Sequence, residues 1–551
     1  MKTIIVGGVA GGASAAARLR RLDENMEIIM FERGDYISFA NCGLPYYIGG
    51  DIKEKSKLTV QTPQSFNTRF VVDVRIGQEV IAIDPGGHKV TVKRLATGEE
   101  YTESYDKLLL SPGAEPFVPP IPGSDGEKVF TLRSIPDAYR IKDYIEKTKP
   151  ENAVIIGGGF IGLEMADNLH QAGMRVTVIE ALPYIAGVLD EDMALDLTNN
   201  MRSAGIHVIT NHSVADIGAL NAGVVILAVG VRPESGLAKA AGLALNERGA
   251  IIVDSHMQTS AEDIYAVGDA IQIQNFVSGQ PGYIPLAGPA NKQGRIAADN
   301  ICGLKSEYRG TQGSSILKVG DLTVAATGLN EMALKAGGFS YDKVYLWTSS
   351  NATYYPGAQN MSMKVLFDVN SGRILGAQIV GFKGVDKRID VLATAIRAQM
   401  TAYDLGGLEL AYAPPYSSAK DPVNMAGFVI ENVLTGKVKQ HHWHDLPDLI
   451  GRKDITLLDV RTNLEYMAGY LEGSVHIPLD ELRANLDQLD PGKPIYVNCQ
   501  SGLRSYIACH MLAHKGFDCS NLAGGYRLYA AVKKGQEFPT ELTHPCGIKI
   551  L

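Results

Sequence analysis

Two of the six cysteines in this 551-residue chain lie where sulfur chemistry is possible, and they are far apart in the sequence. Cys42 stands among polar neighbours in the stretch Ser38–Tyr46, with no second cysteine a few residues away, so a local disulfide cannot form. A single thiol can instead cycle through a mixed disulfide, a persulfide or a sulfenic acid. The alternative is a buried thiol that only fills space in a core. The polar neighbours favour a redox-active Cys42.

Cys499 begins the second candidate site, a loop between an apolar strand predicted at 494–497 and a helix predicted from Ser505. Backbone amides in such a loop form a nest that stabilises a thiolate or a persulfide anion. Phosphatases with a similar cradle place the arginine one position further from the cysteine, so this tighter loop favours sulfur over phosphate. The predicted nucleophile is Cys499, and the loop residues are Gln500, Ser501, Gly502, Leu503, Arg504 and Ser505. The other cysteines are predicted to be packing residues: Cys302, Cys509, Cys519 and Cys546.

The elements that must position Cys42 begin with a glycine turn after the apolar strand Ile4–Val6. The amides and dipole of the helix that follows such a turn can hold a pyrophosphate, and an acid on the next strand can bind a ribose hydroxyl. Val9 replaces the second glycine of the G-x-G-x-x-G fingerprint, which weakens this signal. The predicted cofactor-binding residues are Gly7, Gly8, Ala10 and Gly11, with Glu32 and the adjoining Arg33.

A second glycine turn matches the fingerprint in full, with Gly157, Gly159 and Gly162. Its acid is Glu180, at the end of the next strand. A carboxylate there accepts a bond from a 2'-hydroxyl and repels a 2'-phosphate, which favours NADH over NADPH. Either turn alone could serve only tight strand-helix packing, but two turns with two acids together predict two dinucleotide sites.

These motifs resemble those of the two-dinucleotide flavoprotein disulfide reductases. Residues 259–269 resemble the later FAD motif of that family, in which Asp269 would bind the ribityl chain. Residues 110–114 and 228–233, the latter with the cofactor-binding candidate Gly230, resemble the segments that close the FAD and NADH domains. The resemblance implies FAD and NADH as cofactors, a homodimer, and two Rossmann-like dinucleotide-binding domains with an α+β dimerisation domain. The implied boundaries are 1–112 and 244–320 for FAD, 113–243 for NAD(P)H, and 321–435 for dimerisation.

Among relatives with a single cysteine, the sequence is most similar to coenzyme A-disulfide reductases, in particular to forms with a fused rhodanese domain that reduce CoA persulfide. The resemblance implies that Cys42 carries coenzyme A as a mixed disulfide. It also implies a CoA site lined by Arg18, Arg21, Ser38 and Asn41. Two catalytic tyrosines would come from the partner subunit, and they match Tyr354 and Tyr412.

Other interpretations of these residues remain open. The arginines stand in Arg18–Arg21, which could be a solvated basic helix face. The tyrosines could be interface packing, and the neighbouring Tyr355 and Tyr416 leave the choice within each pair undecided. NADH oxidases and peroxidases usually carry a histidine in the first glycine turn, where this chain has Ala10. The missing acid-base group favours a thiol substrate over a Cys42 sulfenic acid.

The flanks of the Cys499 loop resemble those of rhodaneses, in the segments 458–461, 473–478 and 523–526. The resemblance implies a C-terminal rhodanese-like α/β domain at 448–551, after a linker at 436–447, in which Cys499 carries sulfane sulfur. We therefore expect an FAD-dependent NADH oxidoreductase that reduces CoA persulfide, polysulfide and CoA disulfide through Cys42, with Cys499 delivering the sulfur. The alternatives are an NADH oxidase or peroxidase, and a redox-sensing or sulfur-carrier scaffold.

Composition limits the other possibilities. A net charge of -8 gives no broad basic field, so nucleic acid is not an expected partner. The most apolar stretches are too short to cross a membrane, no secretory leader is predicted, and the cysteine usage suits the reducing cytoplasm. The run 441–444 holds three histidines, but no cysteine or carboxylate lies at a ligand spacing, so no metal site is predicted.

Overall fold

The computed structural model describes residues 1–536, 542–543 and 549–550, and it divides into two compact units. The first unit contains Met1–Leu182 and Gly205–Gly313. The second contains Pro183–Ala204 and the described residues from Ser314 onward. Within the described part of the chain, no helix is long and apolar enough to cross a membrane.

The first stretch of the chain builds a parallel sheet, its covering helices and a small antiparallel meander. Ile4 and Ile5 in its first strand are fully buried, as expected for a parallel strand with helices on both faces. The elements are β1 Lys2–Val6, α1 Ala10–Leu22, β2 Glu27–Glu32, α2 Leu44–Gly49, α3 Pro63–Phe70, β3 Asp73–Ile76, β4 Gln78–Asp84, β5 Lys89–Arg94, β6 Glu100–Ser104, β7 Lys107–Leu110 and β8 Ala114–Pro116.

The next stretch repeats the strand-turn-helix pattern and then returns to the first sheet. Its helix α6 belongs to the second unit, whereas the strands on either side of it in sequence belong to the first. The elements are β9 Val129–Phe130, α4 Ile135–Thr148, β10 Asn152–Ile156, α5 Phe160–Gln171, β11 Arg175–Ile179, α6 Glu191–Ser203, β12 His207–Ile209, β13 Val224–Leu227, β14 Val231–Pro233, α7 Gly236–Ala240, β15 Ile264–Ala266, β16 Ile273–Gln274, β17 Pro281–Gly282 and α8 Ala287–Ile301.

The first unit therefore contains two five-stranded parallel sheets, in the orders β15-β7-β1-β2-β3 and β12-β11-β10-β13-β9. In each sheet the strand that precedes a glycine turn, β1 or β10, is the central one. In doubly wound sheets nucleotides bind at the carboxyl ends of such central strands. The predicted pair of Rossmann-like domains is confirmed.

The second unit begins with an α+β layer, as predicted. Its antiparallel sheet has the order β18-β19-β22-β21-β20. The elements are β18 Ser315–Val319, β19 Leu322–Gly328, α9 Glu331–Ala336, β20 Tyr341–Ser349, β21 Asn360–Asp368, β22 Ile374–Gly381, α10 Val385–Arg397, α11 Ala402–Gly407 and α12 Pro422–Leu434.

A small parallel sheet completes the second unit, in the order β23-β27-β26-β24-β25. Its elements are β23 Lys439–His441, α13 Leu446–Leu449, β24 Thr456–Asp459, α14 Asn463–Met467, β25 Val475–His476, α15 Leu479–Leu482, β26 Ile495–Asn498, α16 Leu503–Ala513, β27 Cys519–Leu522 and α17 Gly525–Gln536. A further pair of short strands, β28 Leu542–Thr543 and β29 Lys549–Ile550, is antiparallel. The α/β class predicted for this region is confirmed.

Part of the segment 436–447, interpreted from the sequence as a linker, belongs to this sheet. Residues 439–441 form the edge strand β23, which pairs in parallel with β27. The sequence did not predict this strand, because a strand of three residues is too short to show a period-two pattern.

The connection between α12 and β23 folds back onto the last turn of α12. The backbone N–H groups of Gly436 and Val438 donate to the carbonyl oxygens of Val433 and Asn432, at 3.0 and 3.2 Å. The Lys437 ammonium lies 3.2 Å from a Glu431 carboxylate oxygen. The α+β layer and the small parallel sheet of the second unit are thus joined by a short stretch of chain with its own hydrogen bonds.

A buried ammonium group lies at the centre of the second unit. Lys364 on β21 is fully buried, and its Nζ lies 2.9 Å from Asp190, 2.9 Å from Asp192 and 2.6 Å from Glu331. The indole of Trp443 donates to Asp192 at 3.3 Å, which links the small parallel sheet to the same network. Burial alone would raise the pKa of Glu331, but Lys364 and a neighbouring lysine hold this pKa well below its usual range.

Replacing Lys364 with Met should destabilise the second unit strongly, because buried carboxylates would lose their counter-charge. Breaking a buried ion pair on one side costs about 3–5 kcal/mol, which corresponds to a fall of about 10 °C in the thermal midpoint. Differential scanning calorimetry measures this fall. The matched control is Lys335→Met, whose 71% exposed side chain reaches the same Glu331 at 4.0 Å. Equal midpoints for the two variants would contradict the assignment.

Candidate active sites

The two glycine turns have the same construction. Gly7 and Gly157 adopt φ values of +98° and +109°, in the left-handed region that favours glycine. A Cβ at Gly12 or at Gly162 would lie 2.0 Å from the carbonyl oxygen of Gly7 or Gly157, so only glycine fits. Gly12 was not among the predicted cofactor-binding residues, although its spacing of five residues from Gly7 matches that of Gly162 from Gly157.

The two predicted acids also occupy matching positions. Glu32 at the end of β2 accepts the backbone N–H of Gly8 at 3.0 Å, and Glu180 after β11 accepts that of Gly158 at 2.7 Å. Helices α1 and α5 both begin without a side-chain cap, with Ala10 and Gly11 in the first turn of α1. Uncapped first-turn amides beside a carboxylate fit a dinucleotide, whose phosphates and ribose need these two partners.

The remaining predicted cofactor residues differ in their surroundings. Arg33 is exposed and lies 2.7 Å from Glu115, so its guanidinium is already paired. Gly230 is exposed in the loop between β13 and β14. Burial raises the pKa of Asp269, and Arg133 opposes this effect. Arg133, just before α4, was not predicted because no motif marks it. Its charge acts on Asp269, so it is a further candidate to hold an anionic part of a flavin cofactor.

Cys42 is exposed in a short 3-10 turn, Asn41–Gly43, immediately before α2. Ser38 adopts a left-handed φ of +43° and donates its backbone N–H to the carbonyl oxygen of Gly8 at 2.8 Å. The first glycine turn and the Cys42 segment are therefore held together by a backbone hydrogen bond. Asn41 is exposed beside the thiol.

The arginines of α1 do not form one uniform basic face. Arg18 lies 2.7 Å from Asp299, and Arg21 is exposed with its Nε donating to the carbonyl oxygen of Ala17 at 2.8 Å. Arg20 between them is 4% exposed and donates to five backbone carbonyl oxygens, so it is structural. The interpretation of the whole run as a solvated face is wrong for Arg20, because long-range carbonyl partners are invisible in the sequence.

A carboxyl group that the sequence analysis missed lies near Cys42. Glu164 on α5 lies 3.5 Å from the Tyr46 hydroxyl, and burial raises its pKa to about 7. Partial burial, then Glu164 and Asp269, raise the pKa of the Cys42 thiol. The only signal in the sequence was an acid two residues after Gly162, inside an apolar helix. An ionisable group of this kind can hold or release a proton near neutral pH.

The structure brings the two predicted tyrosines together. The hydroxyls of Tyr354 and Tyr412 lie 3.1 Å apart, and both side chains are exposed. This hydrogen bond raises the pKa of Tyr412. Tyr355 and Tyr416 are exposed as well, and the hydroxyl pairing distinguishes Tyr354 and Tyr412 from them.

The Cys499 loop is closed around its sulfur. Cys499 is 1% exposed, and its Sγ accepts the backbone N–H of Gly502 at 3.1 Å and the hydroxyl of Ser505 at 3.2 Å. Gly502 takes a φ of +102° at the start of α16, which turns its N–H toward the sulfur. Two donors aimed at one sulfur stabilise a negative charge there.

The other loop residues form the wall of the cradle. Arg504 makes two bonds of 2.8 and 2.7 Å to Glu465, which lowers the pKa of Glu465 to about 2. Gln500 accepts the backbone N–H of Arg527, whereas Leu503 is 60% exposed at the rim and Ser501 is half-buried. The loop arginine is thus held by a carboxylate.

Cys302 and the histidines of the run 441–444 do not belong to the candidate sites described above. Cys302 is partly buried against the core of the first unit, and Cys546 lies outside the described residues. His441 contacts Ser520 at 3.1 Å and His442 contacts Asp342 at 2.8 Å. Among the residues that the structure describes, no group of three histidine, cysteine or acidic side chains is arranged to hold a metal ion.

Comparison with family models matches three parts of the chain. Residues 1–294 match the model described as pyridine nucleotide-disulphide oxidoreductase, and residues 314–422 match the dimerisation domain of that group. Residues 442–531 match the rhodanese-like domain.

Individual proteins are similar over most of their length. The chain is 36% identical to the coenzyme A disulfide reductase of Staphylococcus haemolyticus over 438 residues, 78% of this chain and 98% of the relative. The reduced CoADR-RHD of Bacillus anthracis is 49% identical, with a TM-score of 0.95, over 97% of this chain and 98% of that one. A NAD-dependent persulfide reductase from A. fulgidus is 39% identical, with a TM-score of 0.90, over 96% and 100% of the two chains.

Replacing Glu164 with Gln should lower the pKa of Cys42, because an ionised Glu164 raises it. Glu164 ionises as the pH passes about 7, so the variant should differ most above that pH. The pH dependence of Cys42 alkylation by iodoacetamide, followed by mass spectrometry, should shift to lower pH. The matched control is Glu247→Gln, an exposed acid elsewhere in the first unit. An unshifted profile would rule out coupling between Glu164 and the thiol.

Proposed function

Because the chain belongs to the pyridine nucleotide-disulphide oxidoreductase family, we propose that it is an FAD-dependent NADH oxidoreductase that reduces CoA persulfide, polysulfide and CoA disulfide through Cys42. The observation that carries the proposal is an exposed Cys42 with no second cysteine close to it in the sequence, since the next one is Cys302. A lone redox thiol needs its disulfide partner from a substrate. The relative named coenzyme A disulfide reductase supports coenzyme A in that role.

FAD and NADH, when bound, supply the two electrons that cleave the sulfur-sulfur bond at Cys42. The glycine turns at Gly7–Gly12 and at Gly157–Gly162 would hold the two pyrophosphates, and Glu32 and Glu180 beside them would accept bonds from ribose hydroxyls. Glu180 favours NADH, because a carboxylate repels a 2'-phosphate. Asp269 would bind the ribityl chain, and Arg33 and Gly230 would line the cofactor sites.

The Cys42 thiolate would attack the CoA-bearing sulfur of the substrate and form a Cys42–S–S–CoA disulfide, while CoA thiolate leaves from CoA disulfide or hydrosulfide leaves from CoA persulfide. Two-electron reduction of that mixed disulfide would then free both the Cys42 thiolate and CoA. Glu164, with its pKa of about 7, can hold a proton near this thiol. Arg18, Arg21, Ser38 and Asn41 would bind coenzyme A, since arginines suit its phosphates. In a homodimer, Tyr354 and Tyr412 would serve Cys42 of the other subunit, where a phenol protonates the departing CoA thiolate.

Cys499 is proposed to take sulfane sulfur from a donor and pass it to coenzyme A. The hydrogen bonds from Gly502 and Ser505 support this role, because they would hold the negative charge of a persulfide. The flexible pantetheine arm of coenzyme A would then carry the sulfur to Cys42. Arg504 would maintain the loop through Glu465.

Anaerobic NADH oxidation with CoA persulfide, polysulfide, CoA disulfide and peroxide tests these roles. Cys42→Ser should lose at least about 1000-fold in turnover with every sulfur substrate, because it lacks the attacking thiolate. Cys499→Ser should lose polysulfide turnover and keep CoA-persulfide turnover. Cys302→Ser is the matched control.

Three outcomes would favour other functions. Full activity of Cys42→Ser would contradict the proposed role of Cys42 as the redox thiol. Peroxide as the best substrate would favour a peroxidase that uses a Cys42 sulfenic acid. Slow turnover with every substrate would favour a redox-sensing or sulfur-carrier scaffold.

Replacing Ser505 with Ala should slow sulfur loading at Cys499 about tenfold, because a hydrogen bond to a charged group contributes about 1.5–3 kcal/mol. Persulfide formation at Cys499, measured by mass spectrometry against time, gives the rate. Ser501→Ala is the matched control, since it keeps both hydrogen bonds to the sulfur. Loading that is equally fast in both variants would show that the Ser505 hydroxyl is not used.

A further inference from the structure

The first turn of α17 lies against the Cys499 loop, backbone to backbone. The N–H groups of Tyr526 and Arg527 donate to the carbonyl oxygens of Cys499 and Gln500, at 2.7 and 3.1 Å. Amides in the first turn of a helix have no partner within the helix, so the loop carbonyls satisfy them. A Cβ on Gly525 would lie 2.7 Å from the Cys499 carbonyl oxygen, so no side chain fits between the loop and the helix. The start of α17 therefore holds the loop.

The two bonds to α17 fix the part of the loop that precedes the donor to the sulfur. In a trans peptide group the N–H points away from the C=O, so an anchored carbonyl also sets the direction of the N–H in its own group. The next peptide group along the chain carries the N–H of Gly502, which donates to the Cys499 sulfur at 3.1 Å. Because hydrogen bonds weaken steeply as their geometry worsens, a shift of α17 would weaken this bond.

The side chain of Arg527 fixes α17 to the α+β layer of the second unit. Its Nη2 lies 3.2 and 3.4 Å from the two carboxylate oxygens of Asp196 on α6, and its Nη1 donates to the hydroxyl of Ser362 on β21 at 3.3 Å. The guanidinium also lies over the ring of Trp347 on β20, 3.5 Å from its centre. A planar guanidinium can bind a carboxylate and an aromatic face at the same time.

We propose that Arg527 is a positioning residue for the sulfur chemistry of Cys499, an inference that rests on the function proposed above. Its guanidinium, fixed on the α+β layer, holds the first turn of α17 against the loop carbonyls. The N–H of Gly502 is thereby kept on the sulfur, where it stabilises a thiolate and a persulfide anion. Arg527 acts through α17 and does not need to contact the sulfur donor.

The ion pair of Arg527 distinguishes positioning from direct attraction of an anionic donor. Asp196 already neutralises the guanidinium, and the two side chains are 28% and 22% exposed. Asp196→Asn weakens the anchor, so positioning predicts slower sulfur loading in this variant. Direct attraction predicts faster loading, because the guanidinium would regain an uncompensated charge.

Persulfide loading of Cys499 in the full-length protein tests the proposal. The reduced protein is treated anaerobically with sodium disulfide, which supplies HS–SH. The Cys499 thiolate attacks one sulfur of this donor, the S–S bond of the donor breaks, and hydrosulfide leaves, so that Cys499 becomes a persulfide. Mass spectrometry against time, repeated over a range of pH, gives the loading rate and its pH profile.

Arg527→Met should load about tenfold more slowly than the wild type, with a pH profile moved to higher pH, because a charge-assisted hydrogen bond to the sulfur is weakened. Arg527→Lys should recover most of the rate, since it keeps a cation for Asp196 and Trp347. Lys534→Met is the matched control, because Lys534 is an exposed basic residue of the same helix. It should load like the wild type.

Three results would overturn the proposal. The first is loading of Arg527→Met at the wild-type rate and with the wild-type pH profile. The second is a defect in Arg527→Lys as large as that in Arg527→Met, and the third is faster loading in Asp196→Asn.

Hydrogen–deuterium exchange separates a failure of this proposal from a failure of the proposed function, because it needs no sulfur substrate. The amides of residues 500–502 should exchange faster in Arg527→Met than in Lys534→Met. A wild type that takes up no sulfur would contradict the function proposed for Cys499, and the exchange would still test the positioning. Equal exchange in the two variants would overturn the role of Arg527.

Discussion

Backbone N–H groups that a helix cannot bond within itself are the feature on which both glycine turns and the Cys499 loop depend. Three central parallel strands, β1, β10 and β26, end in a turn that leads into a helix. At two of these turns the free amides and a carboxylate suit a dinucleotide, and at the third an amide and a hydroxyl are aimed at a sulfur. One local geometry thus serves phosphate and sulfur anions alike.

The sequence predicts well whatever depends on short spacing. The glycine turns, their acids and the Cys499 loop each occupy a few neighbouring residues, and the structure shows them in the expected local geometry. The sequence does not predict groups that act through distant partners. Arg20, Arg133 and Glu164 are examples. Their environments are set by burial against elements that are distant in the sequence. Contacts of that kind leave no periodic signal.

The thiols of Cys42 and Cys499, at the two proposed sulfur sites, differ in exposure and in hydrogen bonding. Cys42 is exposed, yet partial burial of its sulfur and then nearby carboxylates oppose its ionisation, which would suit a thiol that reacts with a large substrate. Cys499 is enclosed, with two donors already in place, which suits a thiol that holds one small anion. The difference arises from the surrounding fold, since the two residues are chemically identical.

The bonded turn between α12 and β23 limits how freely the small parallel sheet, which carries the Cys499 loop, can move on its connection. A mobile carrier domain needs a tether of unbonded residues that absorbs changes in φ and ψ. Here the amides of Gly436 and Val438 are bonded back to α12, and Trp443 is anchored on Asp192. The Cys499 loop therefore belongs to a sheet that is connected by bonded residues and not by a flexible tether. If Cys499 loads sulfur as proposed, a small diffusible molecule would have to carry that sulfur away from the loop.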